Sequence, residues 1–196
     1  MRIGEIIGSS STQFVSESLE LRSPPALGSL VKVRVGDDRE LFGVVCYGET
    51  VSLDPGRRAV RRSTEEVYDE GVYRENPQLE HVLRTEFTSL SVGVMEGRTV
   101  QQGLPAQPPP LHFAVNSCGP EETARFTEGL FYFRVLLAAS SPVPPEQVLA
   151  SHARQVYRAR GDDELWLRRA ATEVARLLRE DYERLITALY AMEQAR

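Results

Sequence analysis

The chain has 196 residues, 41% of them hydrophobic and 26% charged, with a formal net charge of −5 at pH 7. That length and apolar content suit one ordinary globular domain, or a small domain with an appended one, and exclude wholesale disorder. No stretch reaches the roughly 18 uncharged apolar residues of a membrane helix, and Glu5 interrupts the short apolar start as no signal peptide would. A cytoplasmic protein is therefore expected.

The strand-rich half comes first. Arg2–Gly8 reads as a short strand with β-branched Ile3, Ile6 and Ile7, and "TQFVSESLEL" alternates enough for a second. "SPPALGS" breaks the chain. In "SLVKVRVG", Val31, Val33 and Val35 take one face and Leu30, Lys32 and Arg34 the other, the pattern of a half-buried strand. "VGDDRE" supplies a hairpin turn and "ELFGVVCYGET" the return strand, in which Gly43 suggests a bulge or barrel corner. Residues 50–86 are less regular. There "RRAVRRSTEEVYDEG" sets Arg57, Arg58, Arg61 and Arg62 ahead of Glu65, Glu66, Asp69 and Glu70, a self-compensating solvated connection or an arginine patch for an acidic partner or nucleic acid. "NPQLEHVLRTEF" predicts a short helix capped by Asn76, with Leu79, Val82 and Leu83 buried. "TSLSVGVMEGRTVQQGLP" predicts a hairpin turning at Glu96-Gly97. Short strands separated by glycine turns point to a small closed barrel.

From Pro105 the composition changes. "LPAQPPPLHFAV" is a stiff, extended crossing. A helix start follows at Pro120 with Glu121 and Glu122 at the positive end of its dipole, and a second proline-marked helix runs to Gly161. The last segment reads as one long helix. On it Leu167, Ala171, Val174, Leu178, Tyr182, Leu185, Leu189 and Met192 recur at three- and four-residue intervals. Such a stripe packs on the preceding helices or meets a helix of another chain.

The search for chemistry is largely negative. A Walker A loop needs lysine directly after glycine, to reach the phosphates. Lys32, the chain's one lysine, lies between Val31 and Val33. Gly4 and Gly8 bracket only "EII", and no G-x-G-x-x-G follows a predicted strand. His81, His112 and His152 lie at no metal-ligand spacing, so neither metal nor cofactor is expected. Cys46 and Cys118 form no CxxC pair and read as small hydrophobes. Ser117-Cys118-Gly119 precedes a helix start, where a thiolate would be favoured, so a hydrolase using Cys118 or His112 stands as a third-ranked reading. The acidic balance weighs against a dedicated nucleic-acid binder.

"RIGEIIGSSSTQFVSE", "PPALGSLVKV" and "LFGVVCYGE" together resemble the HAS barrel, the N-terminal barrel shared by HerA-type hexameric DNA translocases and the core subunits of rotary ATP synthases. The likeness covers roughly residues 1–100, and "ENPQLEHVLRTEF" and "LPAQPPPLH" look like segments of stand-alone bacterial proteins that carry it. In the translocases and synthases a P-loop ATPase domain follows the barrel; here helices replace it. The resemblance thus implies the barrel's own work, ring assembly and docking of partner proteins, and no catalytic residue carries over.

The expectation is an α+β protein: a closed β-barrel of about six strands over residues 1–104, a proline-rich connector over 105–117 and a helical domain over 118–196. Its expected role is a non-catalytic interaction and assembly module, its partner a HerA-like ATPase, an associated nuclease or further copies of itself. A nucleic-acid-binding barrel accessory to DNA processing, using the four arginines, is the alternative.

Overall fold

The protein is described here from a computed structural model, which describes residues 1–54, 56 and 59–194. Seven strands form one antiparallel sheet: β1 (Arg2–Ser9), β2 (Gln13–Ser18), β3 (Leu30–Arg34), β4 (Arg39–Ser52), β5 (Leu83–Glu96), β6 (Thr99–Gln102) and β7 (Ala114–Ser117). Their spatial order is β2-β1-β7-β3-β4-β5-β6, and β5 also pairs with β2. That last pairing closes six strands into a barrel and leaves β6 as a hairpin extension of β5.

The crossing at 105–117 does more than connect. It runs beside β1, where the Ser9 hydroxyl donates to the Pro109 carbonyl at 2.6 Å, and its last residues become β7, seated between β1 and β3. The boundary expected at residue 104 therefore falls short of the barrel's last strand. The short helix expected within 76–87 is also replaced. A 3-10 turn spans Pro77–His81 and β5 begins at Leu83, because Leu83–Thr85 pair with Ser52–Thr50 on β4. Leu79 is buried as expected, but Val82 is exposed. Asn76 does not cap that turn with its side chain; it donates back to the Val72 carbonyl at 2.9 Å, at the end of a short helix, α1 (Glu70–Glu75).

Inside the barrel lie Ile6, Phe14, Val31, Val33, Leu41, Val45, Phe87, Val94 and Val115. Two glycines make room for its rings. A Cβ on Gly43 would sit 2.7 Å from Phe14, and one on Gly4 would sit 2.9 Å from Phe87. The outer wall is buried as well: Leu30, Phe42, Val44, Cys46, Leu90, Val92 and Met95 share a second core with the helices. Burial on both faces is why Leu41–Cys46 reads as a continuous apolar run rather than an alternation.

The helices are α2 (Pro120–Phe126), α3 (Phe133–Ala138), α4 (Pro145–Ala159), α5 (Glu164–Leu177) and α6 (Tyr182–Glu193). Stacking of Phe42 on Phe126, with centroids 4.5 Å apart, joins barrel wall to helix. The Glu122 carboxylate accepts from the Gly119 N–H at 2.9 Å and closes the start of α2. The single long C-terminal helix expected from the sequence is two helices. The chain turns at Leu178–Asp181, and the Asp181 carboxylate caps α6 by accepting from the Arg184 N–H at 3.1 Å.

Candidate functional site

Cys118 follows β7 and precedes α2, near Lys32, Glu40, Asn116 and Glu122. Lys32 bridges two carboxylates, Glu40 at 2.7 Å and Glu122. Burial opposes the ammonium, yet the hydrogen bonds to Glu122 and Glu40 outweigh it and raise the lysine pKa. Its charge is thereby engaged. Burial pushes the Cys118 thiol well above its ordinary value, and the Glu122 charge pushes it further. The group is a protonated thiol, the opposite of an activated nucleophile. His112 is exposed, with Nδ1 3.0 Å from Glu5 Oε1; it precedes β7, its N–H bonded to the Ile6 carbonyl of β1, whereas Cys118 follows β7, so the two lie at opposite ends of that strand. No geometry joins the two residues of the hydrolase reading.

His152 is wholly buried on α4. Its Nδ1 lies 2.7 Å from the Gly28 carbonyl and its Nε2 2.8 Å from the Tyr132 hydroxyl. A carbonyl only accepts, so Nδ1 carries the proton and Nε2 accepts from Tyr132. Burial lowers the imidazole pKa to about 4, so the ring is neutral and structural. It ties α4 to the loop before β3. At that point Gly28 has φ +82, and a Cβ there would meet the backbone nitrogen of His152 at 2.3 Å. Only glycine fits.

Two of the four arginines proposed as a contact patch, Arg57 and Arg58, lie outside the described residues. Arg61 and Arg62 are exposed and line a groove with Val60, Val72, Tyr73 and Leu83 at the far end of the β4–β5 ribbon. Arg62 donates to Asn76 Oδ1 at 3.4 Å. They sit on a loop rather than on a strand face of the barrel. Among the described residues, no group of three or more His, Cys, Asp or Glu side chains is placed to hold a metal ion. No helix of the described residues is long and apolar enough to cross a membrane.

The C-terminal stripe is divided by the turn at Leu178–Asp181. Leu167, Val174, Leu178 and Met192 are buried, and Ala171, Leu185 and Leu189 pack partly against the same core. Those residues are engaged within the chain, which removes most of the stripe as a surface for another protein. Tyr182 is the exception, being 73% exposed. With it stand Ile186 and Tyr190, 47% and 65% exposed, one and two turns further along α6. Sequence reasoning missed that pair because it followed one face of a helix that is apolar on two. The signal was present in the spacing 182, 186, 190.

No protein-family model and no curated protein matches this chain.

Proposed function

We propose that the protein is a non-catalytic interaction and assembly module, docking a partner protein or a second copy of itself. The observation that carries this reading is the apolar outer face of α6. Tyr182, Ile186 and Tyr190 are exposed in one row, while the opposite face, at Ala188 and Met192, is already buried. Folding of the chain does not account for that row, and aligned aromatic and aliphatic side chains on a helix are a usual means of protein docking. The engaged charge of Lys32 and the protonated Cys118 thiol support a role without catalysis. The resemblance of the first 100 residues to the HAS barrel extends the proposal to a HerA-like ATPase or associated nuclease as partner.

The test is light scattering on the purified protein together with affinity capture from its native host. Self-association or stoichiometric capture, lost in Ile186→Arg, is the expected result. A monomer that retains no partner overturns the proposal.

A further inference from the structure

We infer that the outer face of α6 is a two-fold interface between copies of this chain, formed by antiparallel packing of α6 on its symmetry mate about Ile186. The inference rests on the docking role proposed above and names its occupant, a second copy. The face is its own complement. Tyr182 and Tyr190 each lie four residues from Ile186, and Arg179 and Glu193 each lie seven residues from it, on opposite sides. In an antiparallel two-fold pair, a residue before the centre meets the one equally far after it. Ile186 then meets Ile186, Tyr182 meets Tyr190, and Arg179 of each copy meets Glu193 of the other.

The helix geometry allows this. At 100° per residue, Tyr182, Ile186, Tyr190 and Glu193 fall within an arc of about 80°. Arg179 lies in the turn just before α6, exposed and paired with its neighbour Glu180 at 3.1 Å. A surface pair of this kind is worth little and exchanges readily for one across an interface. A two-fold contact is isologous, using the same patch on both copies, which is the arrangement that a palindromic row of side chains provides. Heterologous docking would need no such symmetry.

The three exposed side chains offer on the order of 400 Å² per copy, against the ~800 Å² per partner of a standard interface. An interface of that size is at the small, transient end of the range, so the dimer is weak and reversible.

Sedimentation equilibrium from a few to several hundred micromolar tests it. The wild type should pass from monomer to dimer across that range. Ile186→Arg brings two like charges together at the axis and should weaken association by about tenfold or more. Glu193→Arg alone should also weaken it, and Arg179→Glu combined with Glu193→Arg should restore it. That rescue is particular to the antiparallel pairing. A wild type that stays monomeric throughout overturns the inference, as does a dimer indifferent to Ile186→Arg or a double variant no tighter than Glu193→Arg. If the monomeric chain still captures a different protein through α6, the docking role stands and only the second copy is lost.

Discussion

Where the helical layer meets the barrel, Trp166, Tyr132 and His152 are buried and each polar atom of their rings has a partner: Trp166 Nε1 on the Thr127 carbonyl at 2.7 Å, the Tyr132 hydroxyl on His152, and His152 on Gly28. On the outward side of α6, Tyr182, Ile186 and Tyr190 stand in solvent. Both surfaces are rich in aromatic and aliphatic side chains. They differ in direction-giving bonds. On the inner side, hydrogen bonds fix which helix docks where, and the apolar area supplies the stabilisation. On the outer side Tyr182 and Tyr190 are mostly exposed, and the half-exposed Ile186 lines only an open groove beside Ala150 and Ser151 of α4. Substitutions should therefore separate the two surfaces, with stability lost on one and association on the other.

The largest effect is expected at Trp166. Replacing it with alanine removes the largest fully buried side chain and orphans the Thr127 carbonyl. The cost should be about 3–5 kcal/mol, read as a lowered urea midpoint. A loss under about 1 kcal/mol would mean the inner surface is much looser than its packing indicates.

The next effect is a pH dependence. The folded chain keeps His152 neutral down to about pH 4, whereas the unfolded chain protonates it near the ordinary value of 6.5. Between those values the unfolded state binds more protons, so stability is fully present above pH 6.5 and falls as the pH drops toward 4. The depressed pKa corresponds to about 3 kcal/mol over that window. His152→Gln should flatten the part of the stability–pH curve between pH 6.5 and 4, measured by urea unfolding at each pH. An unchanged slope would show that His152 is not the titrating group.

A smaller effect is expected where α6 meets α4. Glu146 is a buried carboxylate paired with Arg184, whose guanidinium also donates to the Leu137 carbonyl at 3.1 Å. Arg184→Ala leaves that carboxylate without its partner. Because the arginine is partly open to water, the cost should be about 1–2 kcal/mol, checked by the same unfolding measurement.

Much of the barrel was legible because its signals are local. Alternation at Leu30–Arg34, a glycine-aspartate turn after it and a glycine turn at Gly97 each act within a few residues. β7 was not legible. Its four residues, "AVNS", carry no strand pattern of their own, and only the need to join β1 to β3 makes them one. The division between α5 and α6 was half-legible. Apolar spacing runs straight through Leu178–Tyr182 with no glycine or proline, so periodicity alone predicts one helix. Asp181 was the overlooked cue, an N-cap residue that lets the chain restart a helix in a new direction. His152 could have been placed inside, since it shares a helical face with Leu149 and Val156. For the outer face of α6, sequence shows that the helix is apolar on two sides. Which side meets the core is decided by α4 and α5, far away in the chain.

The smallest expected effect on stability is the one that most sharpens the contrast. Ile186→Ser exchanges a half-exposed aliphatic side chain for a small polar one on the outer face, where neighbouring Tyr182 and Tyr190 are also in solvent. Away from packed features a surface substitution shifts stability by no more than about 0.5 kcal/mol. The urea midpoint of a dilute sample should therefore barely move. At high concentration the two proteins should part. If copies associate through this face, binding stabilises the folded state by mass action, so the wild-type melting temperature rises with protein concentration and that of the variant does not. A dilute-sample loss comparable with that of Trp166→Ala would place Ile186 among the residues that hold the fold, and the outer face would then be a structural surface rather than a docking one.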